Sequence, residues 1–160
     1  MGSEVNAFVM RRGLALGCMF ALNFVLSTVP AVAFISWGVE VLILWYVYKS
    51  GVKCRENIMD GEMSYGAGLW FTIQLFLYSS MVAGVIKYVY LKWVNETYLV
   101  QLREVMEQMK LPASTMNESA AMIQDMITPE NMILYFLIGD VTLGLFVGLI
   151  MAAVLKRKNI

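Results

Sequence analysis

The sequence predicts an all-α protein: a four-helix transmembrane bundle with an external amphipathic helical hairpin between its third and fourth spans. Three observations carry that expectation. The 160 residues are 59% hydrophobic and 15% charged, with a mean hydropathy of +0.66, which lies outside the usual range of soluble domains. The apolar residues fall into four runs of about 20, a length that suits the hydrocarbon core of a bilayer better than a globular core. The sizeable polar stretch 96–128 separates the third run from the fourth and keeps a helical period. Residues 1–160 therefore read as one integral membrane domain, with spans at about 13–28, 30–48, 66–93 and 131–155.

The first span follows a short polar arm that ends in Arg11 and Arg12. Gly13, Gly17 and Ala21 recur at helical spacing, so small side chains line one face and let another helix approach closely. The arginines and the run behind them resemble a secretory signal. The apolar sequence continues past the cleavage-like Ala31-Val32-Ala33, however, which favours a retained hairpin. Thr28-Val29-Pro30 is a tight, uncharged turn into the second span. At a rise of about 1.5 Å per residue, Pro30 to Tyr48 covers roughly 28 Å of bilayer. Ala33, Ser36 and Glu40 share one of its faces, and Trp45, Tyr46 and Tyr48 mark its far end as an interfacial belt. Lys49 to Met63 is a polar loop with Asp60-Gly61 as its turn.

The third span is the longest, which implies tilt or a helix that leaves the membrane. Ser80, Gly84 and Lys87 lie on one face, and Tyr88, Tyr90 and Trp93 mark the exit. In the external segment Leu99, Leu102, Met106 and Met109 form one apolar stripe that Pro112 ends; Thr115 with Glu118 fits a capping box ahead of a second stripe, Met116, Ala120, Ile123 and Ile127. Thr128-Pro129-Glu130 is a helix start, with an N-cap, a proline at the first helical position and an acid in the first turn. Along the fourth span Asp140, Gly144, Gly148 and Ala152 fall on one face. Lysine and arginine concentrate at the N-terminal arm, the second loop and Lys156-Arg157-Lys158, so the positive-inside rule puts both termini in the cytoplasm.

Composition excludes several chemistries. There is no histidine, and the two cysteines, Cys18 and Cys54, have neither disulfide nor metal-ligand spacing. Net charge is zero, so nothing points to nucleic acid. Thirteen methionines suggest Cu(I) at Met106, Met109 and Met116, but their helical spacing reads as an apolar face. The sequons at Asn95 and Asn117 are chance. No catalytic group, cofactor or metal is expected, and the chain reads as a non-enzyme.

Glu40, Lys87 and Asp140 are the candidate site. Each falls at a comparable depth, about 14 Å for the acids and about 9 Å for the lysine. Each also shares a face with small residues, which places it inside the bundle. An isolated charge at mid-membrane costs about 2.5 kcal/mol or more, so one acid should pair with Lys87 and the other should take up a proton. Ser36 and Ser80 would complete the polar network. Such a network can fix helix register without any transport, or it can form a proton or cation relay.

The lead-in Gly61-Glu62-Met63-Ser64-Tyr65-Gly66, the exit Asn95-Glu96-Thr97-Tyr98-Leu99, the break before Ile127-Thr128-Pro129 and the basic end Lys156-Arg157-Lys158 resemble a bacterial four-span family known as domain of unknown function 4199. The resemblance covers nearly the whole chain. It implies the bacterial inner membrane and brings no activity and no catalytic residues. The expected function is a non-enzymatic accessory or scaffold subunit that packs with itself or a membrane-protein partner through the Gly13/Gly17 or Gly144/Gly148 faces, with Gly84 as a further packing position. The alternative is a small proton- or cation-coupled carrier that uses Glu40, Lys87 and Asp140.

Overall fold

The computed structural model describes residues 2–108 and 127–157. The described residues are helical: α1 spans Gly2–Thr28, α2 Ala33–Ile58, α3 Tyr65–Val89, α4 Glu96–Gln108 and α5 Pro129–Leu155, with a π-helical turn at Tyr90–Val94 between α3 and α4. Three segments, Ser3–Thr28, Tyr65–Val94 and Pro129–Leu155, are long and apolar enough to cross a membrane. This is a helical membrane protein. Helix α2 has the length but carries Glu40 and, past Tyr48, a run of charged residues.

Two helices begin or end beyond their expected limits. Helix α1 starts at Gly2, because Val5, Phe8 and Val9 of the polar arm pack into the core and continue the helical face. Helix α2 continues through the expected loop to Ile58. Lysine, arginine and glutamate are strong helix formers, and Ser50, Gly51 and Cys54 are buried on the side facing the bundle. The turn then falls at Asp60 (φ 51°) and Gly61 (φ 82°), in the left-handed region that Asp tolerates and Gly favours. The N-caps are Ser64, which accepts from Ala67 N at 3.2 Å, and Thr128, which accepts from Asn131 N at 3.3 Å.

Helix α3 is the central element. Helices α1 and α5 pack along its two sides, and α2 lies antiparallel against α1. Glycines set these approaches. A Cβ on Gly17 would sit 2.7 Å from Ser79 O and from Val82 Cβ, and one on Gly13 would sit 2.8 Å from Tyr78 Cβ. On the other side a Cβ on Gly144 would meet Phe76 at 2.5 Å, one on Gly148 would meet Leu69 at 3.0 Å, and Gly84 faces Ile133 at an ordinary 3.4 Å. Both small-residue stripes are therefore taken up inside the chain by α3. This corrects the expectation that they are free for a partner.

The ends of the bundle differ in chemistry. At the basic end the residues just before α3 and just after α5 clasp through paired backbone hydrogen bonds of 3.0 Å between Met63 and Arg157, and Arg55 donates to Leu155 O at 3.2 Å. Here α2 touches α5, with Leu155 filling the space above Gly51. At the aromatic end Leu91, Leu99 and Ile127 form a second small core, so α4 folds onto the bundle. The remainder of the expected hairpin, including the Thr115/Glu118 box and the stripe from Met116 to Ile123, lies outside the described residues.

Candidate functional site

Helices α2 and α5 touch where Leu155 meets Gly51, and nearer the aromatic end both line, with α1 and α3, a half-open cavity of about 350 Å³. Its lining includes Asn23 and Phe24 of α1, Glu40 and Leu44 of α2, Lys87 of α3 and Asp140 of α5. The three ionisable residues thus come from three helices to one cavity.

They do not form a closed triad. Lys87 Nζ donates to Asp140 Oδ2 at 3.1 Å. The lysine is only 5% exposed, and its ammonium also stands 4.7 Å from the centroid of Phe136 and 5.6 Å from that of Phe24. A carboxylate and two ring faces together stabilise a desolvated cation, which the carboxylate alone does less well. Glu40 lies at the rim, exposed, and among the described residues it makes no hydrogen bond or ion pair. It was expected inside the bundle and instead stands exposed in the lining of the half-open cavity.

Ser36 and Ser80 do not join the site, which corrects the expected network. Ser36 Oγ donates to Ala33 O at 2.6 Å and Ser80 Oγ to Leu77 O at 2.9 Å. Ser79 and Thr72 bond back to their own helix in the same way. A hydroxyl in an apolar helix satisfies itself on the preceding turn and keeps its surface small for packing.

Asn23 is the residue that sequence reasoning missed. It lines the cavity, and its buried Oδ1 has no hydrogen-bond partner. The available signal was the pair Asn23 and Ser27, two polar residues four apart near the end of an apolar helix. Phe24 was missed for a different reason. An aromatic residue in a span reads as lipid-facing, yet Phe24 packs on Phe136 at 4.9 Å, on Tyr98 at 5.8 Å and on Tyr90 at 6.1 Å. Tyr90 is in turn held by Thr28, with 2.7 Å between the hydroxyls, and by Asn95 Nδ2 at 3.0 Å.

A family model described as "Protein of unknown function (DUF4199)" matches residues 11–157. The chain belongs to the DUF4199 family. No curated protein and no solved structure matches it. In this DUF4199 protein the match spans every element that lines the cavity, from α1 to α5. Among its described residues no group of three or more histidine, cysteine, aspartate or glutamate side chains is placed to hold a metal ion. The chemistry the arrangement offers is therefore electrostatic: a neutralised ion pair on the inner wall and a free carboxylate on the rim.

Proposed function

We propose that this protein is a four-span, non-enzymatic protein of the bacterial inner membrane, with both termini cytoplasmic, and that it is a small carrier whose working part is the cavity between α2 and α5. The observation that carries the reading is Glu40. An uncompensated charge at membrane depth costs about 2.5 kcal/mol or more, and the nearest basic group in the cavity, Lys87, is already paired with Asp140. A position that unfavourable for the empty protein suits one that is filled in use.

Support for the fourth span comes from α2 itself. It lies antiparallel along α1 after a four-residue connection, and it exposes Phe34, Trp37, Val41 and Trp45. An apolar helix face of that size belongs against lipid or protein. Arg12, Lys49, Lys53, Arg55, Lys156 and Arg157 gather at the basic end, where the positive-inside rule places the cytoplasm.

Proteoliposomes loaded with a pH-sensitive dye test the carrier reading. An acid pulse in potassium buffer with valinomycin should collapse faster with the protein than in empty vesicles, and the Glu40→Gln variant should fall to the empty-vesicle rate. Wild-type flux equal to that of empty vesicles would remove the reading.

A second reading, an accessory subunit, is favoured by the same outward face of α2. Gly38 there has nothing within 4 Å of its Cβ position, an open notch between Trp37 and Val41 that could receive another helix. A photo-crosslinking residue at Trp37 should then capture one neighbour in native membranes. Capture of no protein, together with a strictly monomeric particle in mild detergent, would remove it.

A further inference from the structure

Resting on the reading of the cavity as a binding site, we propose that its occupant is a protonated amine carried on an apolar body, with Glu40 as its counter-ion. The charge count of the cavity is the first argument. Its lining holds two carboxylates, Glu40 and Asp140, and one ammonium, Lys87, while α1 contributes no ionisable group. The charge of Lys87 is already paired: its Nζ stands 3.1 Å from Asp140 Oδ2 and beside the rings of Phe24 and Phe136. The charge left over is the single negative one of Glu40, and a monocation neutralises it.

Hydrogen-bonding capacity gives the second argument. Two acceptors in the lining have no partner among the described residues, the Glu40 carboxylate and the buried Asn23 Oδ1. An occupant that only accepts hydrogen bonds leaves both unsatisfied, whereas an ammonium supplies up to three donors. Asn23 of α1 and Glu40 of α2 line the same cavity from different walls. The third argument is the rest of the lining, where Phe20, Ile43, Leu44, Phe76, Leu143 and Val147 offer an apolar surface. At about 350 Å³ the cavity is at the small end of ligand sites, which run from about 300 to 1,000 Å³. Within the same cavity the protein already holds one ammonium, its own Lys87, between a carboxylate and aromatic faces.

The test is calorimetric titration of the full-length protein in detergent micelles, with protein-free micelles as the blank. Three probes of one shape are used: 4-phenylbutylamine, its N,N,N-trimethyl ammonium and the neutral 4-phenylbutanol. The amine should bind at least tenfold more tightly than the alcohol, and Glu40→Gln should erase that difference. Asn23→Leu should weaken the amine several-fold and leave the trimethyl ammonium, which has no N–H to donate, unchanged. Among the described residues Glu40 makes no hydrogen bond or ion pair, so its glutamine variant should keep the fold, which the melting temperature in detergent checks. Leu143→Trp fills the cavity and should block all three probes. Equal affinity for amine and alcohol, or amine binding indifferent to Glu40→Gln, overturns the amine assignment. If Leu143→Trp still blocks the probes in that case, the cavity remains a binding site for another class. Probe binding unaffected by Leu143→Trp, or no binding at all, overturns both.

Discussion

Lys87 and Asp140 stabilise each other only as a pair, because each charge alone would sit desolvated between apolar helices. Replacing Lys87 with Met strands the Asp140 carboxylate and should cost about 3–5 kcal/mol of stability; adding Asp140→Leu should recover most of it, since a well-packed apolar pair replaces an ion pair at little cost. Unfolding in mixed micelles measures both. Cys54 behaves differently, since it is buried at the basic end beyond the apolar part of α2, where burial pushes its thiol from the usual 9.0 up to about 11. The native thiol should therefore resist iodoacetamide at pH 8 and react once the protein is unfolded. The sign of the linkage follows from the raised value. The folded state holds the proton more tightly, so this contribution to stability is present below pH 9 and is lost as pH rises toward about 11, which melting curves across that range check. Lys87 and Asp140 were legible in the sequence because charges in apolar runs are rare. Asn23 was less so, because an uncharged amide, even with Ser27 four residues on, stands out in an apolar run far less than a charge does.

The helices pack by surface shape, and the glycines make that testable. Gly144→Ala should cost about 1–3 kcal/mol, since its Cβ would overlap Phe76 and force α5 away from α3. Gly17→Ala should cost a similar amount, because the colliding group is a backbone carbonyl that cannot rotate aside. Gly38→Ala is the control: with open space around it it should leave stability unchanged or raise it by about 0.5–1 kcal/mol through helix propensity. The stripes themselves were plain from four-residue spacing. Spacing does not say which helix fills a stripe, and both turned out to face α3 rather than a partner. The end of α2 was hidden for a related reason. Polar composition suggested a loop at Lys49 to Met63, but exposed Lys, Arg and Glu extend a helix readily once one face, here Ser50, Gly51 and Cys54, finds a neighbour.

At the scale of the molecule, the order of the helices and the antiparallel pairing of α1 with α2 followed from apolar run length and short connections. The cavity between α2 and α5 did not, because it is bounded by tertiary contacts such as Leu155 over Gly51 and the packing of Phe24 on Phe136. Of the three ionisable residues at the cavity, Lys87 and Asp140 pair and Glu40 is the spare. Reporter fusions should place the Thr28–Ala33 connection outside and Gly61 inside the cell if α2 crosses the membrane; both on one side would contradict a fourth span. The most direct measurement is a pair of double-mutant cycles on unfolding free energy in mixed micelles. The structure predicts a coupling of about 1–3 kcal/mol between Lys87 and Asp140 and less than about 0.5 kcal/mol between Lys87 and Glu40. Equal couplings, or none between Lys87 and Asp140, would contradict it.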